Sequence, residues 1–420
     1  MNKNDAGFLR HFQPYLALDR AIWMIAFARF IIAGGTFVLP VYALILTQKL
    51  SLSPADAGMM VFIVSIGGML GSVLGGYLAD TFNRLALMAI SEAFSAVCVI
   101  IAGLFAYDAL SIIFIALSSL ALGIMRPAMR AAILSLCSTT SESKRYALSL
   151  SYLAFNVGHA VGPLIAGFLL LDFYQWLYWG DAATTLIAAY LLASLIKKNT
   201  GRKPKADKKT SQESIERSTE HDTQYDARVP DKTQIALFLA VNICVSFCYA
   251  QITFTLPLQM AESFAEDGAR YYGLILMINA FAVLGFTTVL TSLTAKTHPI
   301  KNLMLAICGY GAGYVMIGFM PILLVMGFAI LIITASEILE VTNGDAYLSE
   351  LVPESRLGRY VSFSVIANNA GIALCPLLMG FAIESIGLSW AWSLVGIVTV
   401  FALLCLSFML KRAKKIPLQP

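Results

Sequence analysis

Two stretches of this 420-residue chain, Leu110–Met125 and Pro321–Ser336, contain no charged side chain at all. Runs of that kind approach the roughly twenty mainly apolar residues that a helix needs to cross the hydrocarbon layer of a bilayer. They are the extreme cases of a chain-wide pattern. Hydrophobic residues make up 58% of the sequence and charged residues 13%, with a mean hydropathy of +0.76. A soluble domain carries about a quarter charged residues. Apolar surface in this proportion cannot all be hidden inside a water-soluble core, so lipid has to solvate much of it.

Apolar segments run at about 21–47, 59–79, 85–106, 110–137, 146–170, 174–196, 233–258, 271–294, 300–319, 322–350, 360–382 and 388–410. The pattern predicts an all-α membrane protein with twelve transmembrane helices. Between the sixth and seventh lies a polar, charged stretch, 197–232, nearly free of aliphatic residues, which reads as a flexible linker. The expected organisation is a six-helix bundle over 1–196, the linker, and a second six-helix bundle over 233–420. The first apolar segment is too long for a cleavable signal peptide and has no small-residue cleavage site, so it reads as a true span.

Lysine and arginine set the expected orientation. With both termini on the cytoplasmic side, 24 of the 29 basic residues fall in cytoplasmic segments and two, Lys49 and Arg270, in outside loops. The remaining three, Arg29, Arg126 and Arg130, lie inside spans. The opposite orientation reverses that ratio.

The two halves also repeat. Thr36-Phe37-Val38-Leu39-Pro40 recurs 217 positions on as Thr253-Phe254-Thr255-Leu256-Pro257. Asn156, Gly158, Pro163-Leu164 and Gly167-Phe168 recur 213 positions on as Asn369, Gly371, Pro376-Leu377 and Gly380-Phe381, and Arg145-Tyr146 matches Arg359-Tyr360 at 214. Three matches in the same order mark a parallel repeat, one of the standard constructions of transporters.

The loop between the second and third spans reads Gly76-Tyr77-Leu78-Ala79-Asp80-Thr81-Phe82-Asn83-Arg84-Leu85. With the spans, the linker and the repeat, it resembles the major facilitator superfamily, whose loop is usually G-x-x-x-D-R-x-G-R-R. Gly76, Asp80 and Arg84 match; Thr81, Asn83 and Leu85 depart. The resemblance implies two pseudo-symmetric bundles around a central cavity in a bacterial inner membrane, and a monomer that moves small molecules. It also implies that Asp80 and Arg84 form a latch between the cytoplasmic ends of the bundles. Asp80 would accept hydrogen bonds from a neighbouring helix amino terminus, where negative charge is favoured. In span five, Gly158, Gly162, Pro163 and Gly167 are similar to the motif of proton-coupled drug exporters, with Ala166 where that motif has a further glycine. Small residues on one face allow close helix contact, and Pro163 loosens the backbone. Gly371, Pro376 and Gly380 repeat the pattern in span eleven.

Ionisable groups inside spans are costly and point to function. Arg29 lies in span one, Arg126 and Arg130 one turn apart in span four, and Glu337 and Glu340 on one face of span ten. The family architecture turns these spans toward the cavity, and Glu92 of span three and Asp181 of span six away from it. At the 214 offset Arg126 falls opposite Glu340. The expectation is that Arg126 or Arg130 pairs with Glu340 or Glu337 when the cytoplasmic side closes, and that protonation breaks the pair. The bland alternative is that these charges snorkel to an interface, most readily Arg130 and Asp345. His159 is a candidate proton relay or a plain hydrogen-bond donor between helices. Tyr42, Phe37, Tyr152, Phe155, Tyr249 and Phe254 are candidates to line an apolar cavity, the alternative for many of them being packing or interface anchoring.

No phosphate-cradling G-x-x-x-x-G-K-[ST] is present, which argues against an ATP-driven pump. No catalytic triad or metal-ligand cluster is visible, the seven cysteines are scattered in apolar segments, and no enzyme activity, cofactor, metal or nucleic-acid partner is expected. Three readings remain: proton-coupled export of lipophilic or amphipathic compounds; proton-coupled uptake of a peptide, amino acid or organic anion, which the three arginines suit; and a non-transporting scaffold on the same fold. The peptide-transporter E-x-x-E-R motif is reduced to Arg29 alone in Ala26-Phe27-Ala28-Arg29-Phe30.

Overall fold

The computed structural model describes residues 14–137, 141–199 and 231–413. The linker expected over 197–232 lies for the most part outside the described residues. Where lipid replaces water, the backbone must satisfy its own hydrogen bonds, and a helix does so within one segment. Among the described residues, eleven helical stretches are long and apolar enough to cross a membrane, one of them, Lys232–Thr294, 63 residues long.

The helices are α1 (Arg20–Gly35, continued in short turns to Lys49), α2 (Pro54–Thr81), α3 (Arg84–Leu104), α4 (Leu110–Leu136), α5 (Ser141–Asp172) and α6 (Tyr174–Asn199). The second half holds α7 (Lys232–Ala250, resumed over Thr255–Phe264), α8 (Gly268–Thr294), α9 (Pro299–Phe319), α10 (Leu323–Leu351), α11 (Glu354–Ile386) and α12 (Leu388–Ala413). Polar caps fix several starts: Asp19, Ser53, Asn83 and Asp231 each accept a backbone N–H from the first turn that follows. The side on which α6 ends and α7 begins is the linker side; the opposite one is the far side.

α5 and α11 run well past their apolar segments, into Ser141–Arg145 and Glu354–Arg359. α1 and α7, in contrast, break inside theirs. Both breaks fall on the repeated Thr-Phe-x-Leu-Pro, where the proline has no N–H to give the helix. In α1, regular helix stops at Gly35, and a 3-10 turn begins at Leu39. The freed N–H groups of Phe37 and Val38 donate to one oxygen of Asp181 on α6, at 3.0 and 3.2 Å. In α7, Leu256 N–H donates to the Gln251 carbonyl at 2.9 Å, and the Thr255 hydroxyl donates to the Gln251 side chain. Asp181, set aside from the cavity on sequence grounds, is therefore the carboxylate that closes the gap in α1.

The halves join along two pairs, α2 against α11 and α5 against α8. The far-side ends of α1 and α7 also touch. One hydrophobic core runs through both halves and includes Val38–Leu46, Phe254–Met260 and Tyr272. The linker-side core of the first half, around Ile22, Met88, Met129 and Leu192, is separate. The close approaches between the halves lie at the far-side ends of these helices and close that side, whereas Asp80, Arg126 and Arg130 on the linker-side parts of α2 and α4 are exposed, which leaves the linker side open.

Replacing Asp181 by Ala strands two buried N–H groups, each worth about 1–3 kcal/mol. Asp181→Ala should melt clearly below wild type in detergent, and Asp181→Asn, which keeps an acceptor, between them. Equal melting of all three would mean that Asp181 does not hold the break.

Candidate functional site

The closed far side is built by glycines in two symmetric sets. Gly158 and Gly162 on α5 face the backbone of α1: a Cβ on Gly158 would stand 2.5 Å from the Phe30 carbonyl oxygen, and one on Gly162 2.9 Å from that of Ala33. Gly371 meets the Ile243 carbonyl on α7 in the same way. These contacts bind each broken helix into its own half. Further along the same helices the contacts cross between halves. Gly167 abuts the Ala269 carbonyl of α8, and Gly380 the Pro54 carbonyl of α2. The carbonyls of Pro163 and Pro376 press in turn against Gly273 on α8 and Gly58 on α2. Glu384 of α11 accepts the Ala55 N–H at 3.2 Å at the edge of this seam. Gly58 and Gly273 had no motif around them in the sequence; only their contacts identify them.

On the linker side the contacts of Arg84, expected with Gly76 and Asp80 to form a latch, stay within its own half. Asp80 is exposed, and Arg84 donates to the carbonyls of Ala79 and Ala131 at 3.3 and 3.2 Å. Gly76 faces open space.

Between seam and opening lie the membrane charges. Arg29 is half-buried, donates to the Ser151 hydroxyl at 3.1 Å, and sits over the Phe155 ring at 5.1 Å. Phe155 stacks in turn on His159, with centroids 5.4 Å apart. The histidine thus extends a stack that starts at Arg29. At the repeat position in the second half, Ser246 donates to Asn368 at 3.1 Å, so both halves bridge the same helix pair with different chemistry. Arg126 and Arg130 are exposed along α4. Arg126 lies in electrostatic reach of Arg29, Glu92 and Tyr249.

Glu337 and Glu340 are half-buried on α10. Asn279 of α8 donates to Glu337 at 3.4 Å and to Thr334 at 2.8 Å, a partner the sequence did not single out. Tyr249 of α7 stands where the sets meet, in electrostatic reach of Glu337, Glu340, Tyr152 and Arg126. The first half therefore presents arginines and the second half glutamates to one opening. Among the described residues no ion pair joins them. Asp345 is exposed near the linker-side end of α10, as a snorkelling residue would be.

The aromatic set divides, three of its six members going to packing rather than to the cavity. Tyr152 and Tyr249 are exposed and Phe155 half-buried, whereas Phe37, Tyr42 and Phe254 are buried in the far-side core. The broken ends of α1 and α7 draw them into the closure.

Comparison with known proteins agrees with this architecture. The family model described as Major Facilitator Superfamily matches residues 25–344 and 339–420. An uncharacterized MFS-type transporter, YqjV of Bacillus subtilis (strain 168), is 25% identical over 402 residues, covering 90% of each chain. Among solved structures, an auto-inhibited POT family peptide transporter has a TM-score of 0.75 at 16% identity, covering 96% of this chain and 98% of the other. The nucleoside transporter NupG has a TM-score of 0.69 at 13% identity, with coverage of 94% and 99%. A D-xylose-proton symporter has 0.69 at 16% identity, with coverage of 93% and 96%.

Gly58→Leu forces α2 and α11 apart. Phe254, 1% exposed, should then become reachable. A cysteine placed at Phe254 should react with a membrane-impermeant maleimide added from the far side at least ten times faster in the Gly58→Leu background. An unchanged rate would mean the seam is not what closes this side.

Proposed function

The chain belongs to the major facilitator superfamily, and we propose that it is a proton-coupled antiporter exporting lipophilic or amphipathic compounds by alternating access. In this reading the 63-residue stretch Lys232–Thr294 crosses twice, through α7 and α8. That gives twelve spans, in bundles over 1–196 and 233–420 joined by the linker. The linker side and both termini face the cytoplasm of a bacterial inner membrane, which the lysine and arginine distribution supports. The conformation described is then the inward-open one.

The observation that carries the reading is the opposition of Arg126 and Arg130 to Glu337 and Glu340 across one opening, with no ion pair among the described residues and the far side sealed. Ionised glutamates attract the arginines across the cavity and draw the cytoplasmic ends together, and Asp80, Arg84 and Gly76 then engage as the latch. Protons entering from outside neutralise the glutamates, break the pair and return the molecule to the inward-open state. A cationic or amphipathic substrate arriving from the cytoplasm displaces those protons. Substrate and proton thus compete for the same carboxylates, which is what antiport requires. Tyr152 and Tyr249, both exposed, offer aromatic faces to an apolar body. His159 acts through its stack with Phe155 and Arg29. The glycines at 158, 162, 167, 371 and 380, with Pro163 and Pro376, form the fulcrum, and the chain works as a monomer.

A second reading, proton-coupled uptake of a peptide, amino acid or organic anion, is favoured by Arg29, Arg126 and Arg130 and by the fold's likeness to peptide, nucleoside and sugar transporters.

Proteoliposomes with an imposed pH gradient separate the two. Lipophilic cations should collapse the gradient, and Glu340→Gln, Glu337→Gln and Arg126→Gln should each slow that collapse at least tenfold. If only acids or peptides move protons, the arginines form an anion site and the export reading is wrong.

A further inference from the structure

Glu92 lies outside the machinery described so far. It sits two turns into α3, which packs on α4 and α6, and is 0% exposed. Both of its carboxyl oxygens are buried without a hydrogen-bond partner among the described residues. The titratable groups that face it are Arg126 from α4 and Asp181 from α6. Asp181 is a carboxylate already committed to the N–H groups of Phe37 and Val38, so it repels a second negative charge. The serines beside Glu92 on its own helix do not help it: Ser91 is buried, and Ser95 is taken up by Ser118 of α4 at 2.8 Å. Stripping a carboxylate of water costs several kcal/mol unless a cation and hydrogen bonds replace it. The neutral acid costs far less.

Arg126 is the nearest source of relief, and in this conformation it is exposed toward the opening. One guanidinium cannot serve Glu92 and the glutamates of α10 at once. We propose that Glu92 is a second proton-binding residue of the transport cycle, protonated while Arg126 faces the opening and ionised when Arg126 turns back to it. The step balances simply: the Glu92 O–H bond breaks, its proton leaves to water in the opening, and the Arg126 guanidinium becomes the counter-ion. The place of this step in transport rests on the proton-coupled reading; the protonation of Glu92 does not.

The second half has a counterpart that fits the same logic. Tyr310 of α9 is fully buried, its hydroxyl has no hydrogen-bond partner among the described residues, and it lies in electrostatic reach of Glu340 and Glu337. Each half thus backs the charge on its cavity helix with a buried group from the helix beside it. On α9 that group is a hydroxyl, whose proton stays in place. Only Glu92 on α3 can exchange one.

Infrared difference spectroscopy of the purified protein in liposomes, titrated over neutral pH, tests this without any substrate. Wild type should show the carbonyl stretch of a protonated carboxyl lacking a hydrogen bond, lost on alkalinisation. Glu92→Gln should remove that band, and the double variant Glu337→Gln/Glu340→Gln should keep it. Arg126→Gln should carry its disappearance at least one pH unit further. A spectrum in which Glu92→Gln removes nothing, or Arg126→Gln shifts nothing, overturns the assignment. Should Glu92→Gln fold poorly, the Arg126→Gln titration decides alone. A band that behaves as described, in a protein moving no protons, would sink the antiport reading and leave Glu92 standing.

Discussion

Backbone against backbone is the contact on which this molecule turns. At the far side α2 meets α11, and α5 meets α8, so closely that glycine is the residue that fits at Gly58, Gly167, Gly273 and Gly380. Between apolar helices in lipid there is little hydrophobic drive to associate, and close van der Waals packing takes its place. A seam of this kind can open and re-form at little polar cost, because its close approaches are between Cα carbons and helical carbonyls and its one described hydrogen bond, Ala55 to Glu384, lies at the edge with Glu384 exposed. It holds the halves as a pair while leaving the other side free to spread. The breaks in α1 and α7 complete it, since they turn Phe37, Tyr42 and Phe254 into the core behind the seam.

The charges depend on that arrangement. With the far side sealed and the linker side spread, the arginines of α4 are exposed, and of the α10 glutamates Glu337 has one long contact among the described residues, to Asn279 at 3.4 Å. Bringing the linker ends together removes that water, so the charges must then pair or be neutralised. In the proposed mechanism, a rigid fulcrum at one end and unsatisfied charge at the other convert a protonation event into a movement of whole helices. Asn279, Tyr249 and Tyr310 set the surroundings in which the glutamates make that choice.

Much of this was legible in the sequence. The apolar segments predicted the helices because lipid demands a long uncharged stretch, and the repeat marked Gly158 and Gly371, like Gly167 and Gly380, as equivalent positions, each of which abuts a neighbouring backbone. Arg29, Arg126, Glu337 and Glu340 stood out because a charge inside a span is conspicuous. Other features left no such mark. Gly58 and Gly273 are single glycines in apolar helices, indistinguishable from others until a carbonyl from the opposite half is seen against them. The aromatic residues stay ambiguous in the sequence because lipid, core and cavity all accept apolar side chains, so hydropathy does not say which way a helix faces. Asp181 was judged by its helix, not by the N–H groups that the break in α1 leaves bare. The ends of α5 and α11 lie beyond the apolar segments because outside the hydrocarbon layer polar residues can prolong a helix without any apolar signal.

The central claim is that ionisation of Glu337 and Glu340 closes the side on which the molecule stands open here. Pulsed electron spin resonance between labels at Ser135 near the end of α4 and Ser349 near the end of α10, both exposed on that side, measures it directly. A distance distribution that moves to shorter values as pH rises, and no longer responds to pH in Glu337→Gln/Glu340→Gln, is the predicted result. A distribution that responds to pH equally in both proteins would contradict it.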